Sequence, residues 1–329
     1  MNAGRHEMFL ISAGLQSQEK PMSYFDEMIA MERIPNSYEQ WIRYRQMVTG
    51  YIVKNCPVNR NGYGRRPVLA LWGIGQAGDI DIGRLAADYK LVLIDRDEQA
   101  VREAVQRYGL TESDYVIADI PFWRVDDDQY RLFDALLEDG ADLEHILEFL
   151  EGIAGQNSGK YIGKTQPEPG TFDAYRYLDI FDYSVAVGLH SQLNSRFAAL
   201  LYHYKENYHD EDLRLISSAI SGLNESAVER LNDYMYHTTE KRLIYGYEVS
   251  AVTDYMEAGR IAERLNAGDR DTIESVSHIE GVSQLMSDIS LHRGCDVDIV
   301  DNKYTVWPFD TVSGKKNYVM GFVTMEKIS

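Results

Sequence analysis

The sequence is poor in cysteine and in long apolar runs, and each shortage restricts the class of protein. Only Cys56 and Cys295 occur among 329 residues, too few for a disulfide framework and not in a metal-binding spacing. This usage favours a reducing compartment, and we predict a cytoplasmic protein. No apolar run is long enough to cross a bilayer, and the N-terminal MFLIS is too short for a signal peptide. We therefore predict no membrane partner.

Positive charge is also scarce. Lys and Arg number 33 against 52 Asp and Glu, which gives a formal net charge of -19. A surface of this sign repels phosphate backbones, so we predict no nucleic-acid partner. The histidines show no ligand spacing such as HExxH, and the acids at 126–128 favour a solvated helix start, so no metal is predicted. The hydrophobic content of 44% supports a packed core.

Apolar runs and helical patterns alternate along the middle of the chain. This alternation predicts an α/β fold with a mainly parallel sheet covered by helices on both faces. The segment 296–328 alternates apolar and polar residues around glycine turns, which is typical of antiparallel strands. The strands are predicted at 68–72, 91–95, 114–120, 181–189 and 242–250, and the helices include 79–88, 97–109 and a long acidic stretch at 126–153.

A glycine-rich turn follows the first predicted strand, in the segment VLALWGIGQAGDIDIGRLAADYKLVLIDRD. Gly73, Gly75 and Gly78 fit the dinucleotide fingerprint, and Gly73 and Gly75 allow the backbone to approach a ligand closely. Asp95 ends the second strand, at the distance from which an acid accepts hydrogen bonds from ribose hydroxyls. The order of strand, glycines, helix, strand and acid predicts a nucleotide-binding βαβ unit.

Two acids after the glycines distinguish between nucleotides. Asp79 and Asp81 are predicted in the first turn of the helix, where a dinucleotide would place its pyrophosphate. Acids at a helix start stabilise the helix with or without a ligand, but they oppose an anion beside them. A phosphate-free, cationic ligand such as S-adenosylmethionine suits these surroundings better than a dinucleotide does.

Five segments together resemble the class I S-adenosylmethionine-dependent methyltransferases, over about residues 65–329. LWGIGQAGDIDI is similar to their glycine-rich first motif, although it is one residue longer and has Leu71 where the family often has an acid. LVLIDRD resembles the second motif, whose acid holds the ribose, and VIADI the third, whose acid reaches the adenine amino group. FDYSVAVGLHSQL resembles the fourth strand, whose end faces the transferring methyl. The C-terminal segment resembles the antiparallel pair that completes their sheet.

The resemblance implies a fold, a cofactor and a set of contacts. The fold is a three-layer Rossmann-like sandwich with a seven-stranded, mostly parallel sheet and a C-terminal antiparallel hairpin. The cofactor is S-adenosylmethionine, with Asp119 at the adenine amino group and Ile120 against the ring. The predicted cofactor-binding residues are Gly73, Gly75, Asp79, Asp95, Arg96, Asp119 and Ile120.

The domain boundaries follow from the loop NRNGYGRRP at 59–67. We expect an N-terminal helical cap at 1–64 and a methyltransferase core at 65–329, with a helix-loop insertion at 126–178. Within the insertion, the Gly/Pro-rich segment 155–172 is longer than ordinary connections, and we expect it to act as a lid that orders over bound ligand. The oligomeric state is left open between monomer and homodimer.

The predicted reaction is in-line transfer of a methyl group to N, O or S of a small-molecule acceptor. Such transfer depends mainly on proximity and orientation, with proton removal where the acceptor needs it. His190, at the end of the fourth strand, is the candidate catalytic residue, as a general base or an orienting hydrogen-bond partner. A structural histidine at the start of the next helix is the alternative for that residue. For the whole protein, an NAD(P)-dependent oxidoreductase and a non-catalytic nucleotide-binding module stay open.

Overall fold

The structure, a computed structural model, describes residue 24 and residues 34–58, 65–118, 120, 122–157, 181–276, 281–294, 296–311 and 315–328. Within these ranges, helices and strands alternate as the sequence predicts. The strands are β1 (Val68–Trp72), β2 (Lys90–Ile94), β3 (Tyr115–Ala118), β4 (Phe181–Val187), β5 (Thr239–Val252), β6 (Val297–Asp310) and β7 (Lys316–Lys327). The helices are α1 (Ser37–Gln40), α2 (Ile42–Asn55), α3 (Ile82–Ala86), α4 (Glu98–Tyr108), α5 (Asp127–Glu138), α6 (Leu143–Asn157), α7 (Ser195–His203), α8 (Asp210–Thr238), α9 (Tyr255–Asn266), α10 (Arg270–Ser275) and α11 (Val282–His292).

All seven strands join one sheet in the order β3-β2-β1-β4-β5-β7-β6. Strands β1 to β5 pair in parallel, and β7 is antiparallel to both β5 and β6. Helices cover both faces, so β4 near the middle of the sheet is buried along its whole length. The fold prediction is confirmed: this is a three-layer Rossmann-like sandwich with a seven-stranded, mostly parallel sheet and an antiparallel C-terminal pair.

The two faces of the sheet have separate hydrophobic cores. Helices α2, α3 and α4 cover one face, and α8, α9 and α11 cover the other. Helices α5, α6 and α7 form a third cluster with the N-terminal part of α8, beside the sheet rather than on it. The described part of the predicted N-terminal cap packs directly on the sheet, since Tyr44, Val48, Tyr51 and Ile52 belong to the same core as β1.

Local signals set several element boundaries. The side chain of Asp97 accepts a hydrogen bond of 2.8 Å from the Ala100 amide at the start of α4. Gly109 ends that helix with a φ of 65°, a left-handed conformation that glycine adopts without strain. The predicted 126–153 stretch is instead two helices, α5 and α6, and Gly140 between them has a φ of 65°.

The largest boundary error concerns the first helix after the glycine turn. The sequence predicts 79–88, but α3 is only Ile82–Ala86. Asp81 is the residue before the helix, and its carboxylate accepts a 2.9 Å hydrogen bond from the Arg84 amide. Asp79 therefore belongs to the turn and not to the helix. The predicted lid, 155–172, lies outside the described residues beyond Asn157, where α6 ends.

Candidate functional site

A cleft of about 1990 Å³ opens at the carboxyl ends of the parallel strands. Strands β1, β2 and β4 all end at this edge, because they are parallel neighbours. Strand order reverses between β1 and β4, so the cleft lies at the switch point where open α/β sheets bind ligands. One wall comes from the turns after β1 and β2, and another from the turn after β4 and from β5. Helices α1 and α5 and the end of β6 close the sides.

The glycine turn lies at the base of the cleft. Gly73 has a φ of 67° and its amide donates to the Ile94 carbonyl at 2.8 Å, which joins the ends of β1 and β2. A Cβ at Gly73 would lie 2.6 Å from Leu189, so the residue is glycine for both conformation and packing. Gly75 has a φ of 47°, and a Cβ there would meet only Asp95, at 4.0 Å. Gly75 thus leaves space for a ligand above the turn.

Gly78 has a different role from the one its place in the fingerprint suggests. A Cβ at this position would lie 3.1 Å from the ring of Trp41, at the start of α2. Its φ is not among the positive values of the described glycines. The glycine at this position therefore allows an aromatic side chain from the N-terminal helices to pack against the turn.

Asp95 stands at the end of β2 and holds the glycine turn. One carboxylate oxygen accepts a 2.7 Å hydrogen bond from the Gly75 amide, and the other a 2.8 Å bond from the Asp97 amide. Burial raises the pKa of Asp95 to about 6, while these backbone bonds act to lower it. Each oxygen keeps a second lone pair, and the half-buried side chain lines the cleft. Ribose hydroxyls have acceptors here.

Arg96, Ile120 and Asp119 are three further residues that the sequence predicts at the cofactor. Arg96 lines the cleft, forms an ion pair with Asp127 at 3.3 Å and lies 5.7 Å from the ring centre of Tyr130. Ile120, 6% exposed, lines the cleft as part of the apolar core on the α8 face. Asp119 lies outside the described residues.

Asp79 lies in the cleft as predicted, but in a different local setting. It precedes α3 by three residues and is half-buried. Burial raises its pKa to about 6, against the effects of its own backbone amide and of Arg45. The Arg45 guanidinium donates 2.8 Å bonds to the carbonyls of Tyr38 and Gly78, which fixes it behind the turn. An anion bound at this point would meet a carboxylate within the cleft.

His190 is not among the residues that line the cleft, although Leu189 and Ser191 are. The ring is fully buried, with Nε2 3.1 Å from the Asn232 side-chain oxygen and an edge-to-face contact to Tyr245. Burial lowers the pKa of His190 to about 4, so the imidazole is neutral at physiological pH. This geometry resembles the structural alternative, with Asn232 rather than the backbone as the partner, and the catalytic role of His190 stays a prediction.

The sequence interpretation missed Glu248. This residue lies on β5, two positions after Gly246, which is level with the end of β4. Its side chain is 2% exposed and lines the cleft, and within the described chain Oε2 has no hydrogen-bond partner. Burial raises its pKa, as does Asp79, while Ser191 and Lys316 act to lower it. The sequence did contain a signal for this residue, because an acid stands within the otherwise apolar strand LIYGYEV.

Aromatic side chains line the same part of the cleft as Glu248. Trp307 on β6 stacks on Tyr44 of α2 with a ring-centre distance of 5.1 Å and an angle of 8°. Trp41 meets Trp307 edge to face at 4.9 Å, and its Nε1 donates to the Phe309 carbonyl at 2.9 Å. The N-terminal helices and the C-terminal hairpin thus meet over the cleft.

The opposite wall comes from the predicted insertion. Trp123 donates through Nε1 to the Asn194 side chain at 3.0 Å, which joins the segment before α5 to the segment before α7. The Arg124 amide donates to the Asn157 side chain at 2.8 Å, at the end of α6. The insertion is therefore attached to the core at the cleft edge. Among the residues the structure describes, no group of three or more His, Cys, Asp and Glu side chains could hold a metal ion.

Comparisons with known proteins find similarity only in three dimensions. No protein-family model and no curated protein sequence matches this chain. A S-adenosylmethionine-dependent methyltransferase from Methanosarcina mazei matches with 9% identity and a TM-score of 0.37, over 80% of this chain and 94% of that one. Magnesium protoporphyrin IX methyltransferase from Synechocystis PCC 6803 matches with 10% identity and a TM-score of 0.37, over 94% and 90%.

A third similar structure is an N-methyltransferase from Bradyrhizobium japonicum in complex with S-adenosyl-L-homocysteine. It is 11% identical, with a TM-score of 0.36, over 89% of this chain and all (100%) of that chain. None of the described helices is long and apolar enough to cross a membrane.

Proposed function

We propose that the protein is an S-adenosylmethionine-dependent methyltransferase that acts on a small-molecule acceptor. The observation that carries the proposal is the acid at the end of β2, whose carboxylate holds the glycine turn and faces a cleft lined by further acids. The fold supplies the expected switch-point site. The acids select a cationic, phosphate-free cofactor over a dinucleotide.

The described residues fit the cofactor. Gly75 leaves open space above the turn, where a larger side chain would project. Asp95 has free lone pairs for the two ribose hydroxyls, and Ile120 offers an apolar surface for adenine. Arg96 lies at the mouth of the same region, and Asp119 directly precedes Ile120 in the sequence. The sulfonium supplies an electrophilic methyl group, and Asp79 places negative charge in the cleft that receives it.

The contribution of the chain to the reaction is orientation and exclusion of water. Methyl transfer in line needs the acceptor atom held opposite the departing sulfur, and a largely preformed cleft achieves this without a dedicated catalytic group. We do not propose His190 as a catalytic group, because its ring is fully buried and does not line the cleft. Glu248 is a buried, titratable side chain that lines the cleft at β5.

The acceptor is proposed to be a small molecule because of the charge. At a net charge of -19, the protein repels polyanions, so an RNA or DNA acceptor would need a local basic surface. Transfer of labelled methyl groups to total RNA or to genomic DNA, at a rate that salt reduces, would contradict this part of the proposal.

Calorimetry on the native protein tests the cofactor assignment. We expect S-adenosylhomocysteine to bind, and NAD and NADP to bind at least about tenfold more weakly, because a pyrophosphate would lie beside Asp79. Asp79→Asn should reduce the difference in affinity between S-adenosylhomocysteine and the dinucleotides. Glu112→Gln replaces an exposed acid outside the cleft and should leave that difference unchanged. Tight binding of a dinucleotide without S-adenosylhomocysteine would instead support an oxidoreductase, and no binding of either would support the non-catalytic module.

A further inference from the structure

One corner of the cleft combines buried acid with aromatic rings. We call it the acidic-aromatic corner and define it by Asp79, Glu248, Trp41, Tyr44 and Trp307. All but Tyr44 line the cleft, and Tyr44 lies behind the Trp307 ring, on which it stacks. The corner draws on the glycine turn, α2, β5 and β6, four parts of the chain that only the fold brings together.

Two glycines show how closely the corner is assembled. A Cβ at Gly188 would lie 3.4 Å from the Trp307 ring and 3.5 Å from Glu248 Oε1, so ring and carboxylate are neighbours on either side of this turn. A Cβ at Gly78, the residue before Asp79, would touch the Trp41 ring at 3.1 Å. Burial raises the pKa of Tyr44, and Asp79 and Glu248 raise it further, so both carboxylates are close enough to act on its hydroxyl.

Several buried polar atoms in the corner have no hydrogen-bond partner among the described residues. Glu248 is 2% exposed, and within the described residues its Oε2 has no hydrogen-bond partner. The same holds for the Tyr44 hydroxyl and for Trp307 Nε1. The Ser191 side chain hydrogen-bonds to the Glu248 carboxyl group, and Lys316 acts on it from a distance, although the Lys316 side chain is exposed and lies 4.7 Å from the Tyr318 ring centre. A buried carboxylate with an unused oxygen is costly unless a donor or a cation reaches it.

Aromatic walls around buried acids suit one kind of ligand group. The face of an indole or phenol ring attracts cations, and desolvation strengthens that attraction. A carboxylate at the base of such a pocket adds charge pairing and a hydrogen-bond acceptor. An anion would face two acids here, and a neutral apolar group would leave Glu248 Oε2 unsatisfied. The chemistry therefore selects a cationic nitrogen.

The place of Glu248 in the sheet separates this residue from the contacts expected to hold the ribose. The turn and the acid expected to hold the cofactor follow β1 and β2, whereas Glu248 lies on β5, with β4 between β5 and β1. Two strand spacings amount to about 10 Å. The β4–β5 half of the cleft is thus the acceptor half, and Asp79 reaches it from the far end of the glycine turn.

We propose that the acidic-aromatic corner binds a cationic amine or quaternary ammonium group of the methyl acceptor, with Glu248 as its anchor. This inference rests on the proposed function, and it narrows the acceptor from small molecules in general to amine-bearing ones. Glu248 acts here as a specificity-determining residue. The cationic nitrogen is the group recognised, whichever atom of the acceptor receives the methyl.

The test compares choline with its neutral isostere 3,3-dimethylbutan-1-ol, titrated into native protein saturated with S-adenosylhomocysteine. Binding is followed by tryptophan fluorescence, since Trp41 and Trp307 line the corner. We expect choline to bind at least about tenfold more tightly, because only the cation interacts with Glu248 and the ring faces. Equal binding of the two probes, or of neither, would overturn the proposal.

Variants assign the effect to the corner. Glu248→Gln keeps the side-chain shape and should weaken choline binding about tenfold, and Asp79→Asn should weaken it by a smaller factor. Glu112→Gln is the matched control and should leave choline binding unchanged. Unchanged choline binding in Glu248→Gln would contradict the proposal. If Glu248→Gln does not fold, the Asp79→Asn result decides.

The cofactor carries an ammonium group of its own, and the same variants separate it from the acceptor. Glu248→Gln should leave S-adenosylhomocysteine affinity within about twofold of native. A loss of about tenfold for S-adenosylhomocysteine, with none for 5′-methylthioadenosine, would place the methionine ammonium in the corner and overturn the acceptor assignment. If native protein does not bind S-adenosylhomocysteine, the proposed function is wrong. Choline binding can still be measured in the absence of S-adenosylhomocysteine, so the two failures are distinguishable.

Discussion

The two halves of the cleft place a buried acid at similar heights in the sheet, but they use it differently. At the β1–β2 half, both oxygens of Asp95 accept backbone hydrogen bonds, so the acid is part of the turn that it shapes. At the β4–β5 half, Glu248 has an oxygen with no partner in the described chain. The acid that the backbone satisfies shapes the turn and can also bind ligand, whereas the acid with a free oxygen has an acceptor to offer a ligand, an ion or a water molecule.

Replacing Asp95 tests the first half most strongly. Asp95→Ala removes acceptors for two ribose hydroxyls and two backbone amides, and charge-assisted bonds contribute about 1.5–3 kcal/mol each. We expect S-adenosylhomocysteine affinity to fall about a hundredfold, which is about 2.7 kcal/mol. Calorimetry gives the affinity, and a thermal melt checks that the fold persists. A change below about threefold would show that Asp95 does not contact the ribose.

His190 lies beneath the second half, and its replacement tests whether that half contains a base. His190→Ala should reduce the free energy of unfolding by about 2 kcal/mol, because it removes a fully buried ring and leaves the side-chain oxygen of Asn232 without its partner. Cofactor affinity and the pH profile of turnover should not change. Denaturant titration and a pH–rate profile measure these. Native stability with slow turnover would restore His190 as a catalytic residue.

Gly73 and Gly75 distinguish a glycine required by packing from one required by the ligand. Gly73→Ala should cost about 1.5 kcal/mol of stability, from the left-handed backbone and the contact with Leu189. Gly75→Ala should cost less stability but more cofactor affinity, because its Cβ enters space that is open in the protein alone. The double variant Gly73→Ala, Leu189→Ala is the control for the steric part. Equal losses for the two single variants would contradict this distinction.

Asp79 gives the smallest expected effect, and it depends on pH. Burial raises its pKa to about 6, above the unfolded value, so the folded protein binds the extra proton and stability decreases as pH rises from about 4 to about 6. Asp79→Asn should therefore increase stability at pH 7 by about 1 kcal/mol and make that decrease shallower. Thermal melts from pH 4 to pH 8 measure it, with Glu112→Gln as control. A less stable Asn variant at pH 7 would show that ionised Asp79 is well paired.

The sequence predicted the glycine turn, Asp95 and the strands well because these features are local. A strand with an apolar run, two glycines and an acid 20 residues after Gly75 are properties of one continuous βαβ segment, and Asp95 binds Gly75 within it. The catalytic role predicted for His190 stays a prediction, and its setting is less local. Its position after β4 is also local, but the direction of its ring depends on α8 and on Asn232, 42 residues away.

Sequence alone determined the α/β class, the sheet with its antiparallel end and the first half of the cleft, because periodicity and glycine conformations act over short stretches of chain. Only the tertiary structure decided that Glu248 faces the cleft, that Trp41 packs on Gly78 and that Trp307 joins them. Those contacts connect residues separated by 37 to 266 positions, as between Trp41 and Trp307. Burial and the pairing of charges depend on what the whole chain places nearby, and no local pattern carries that information.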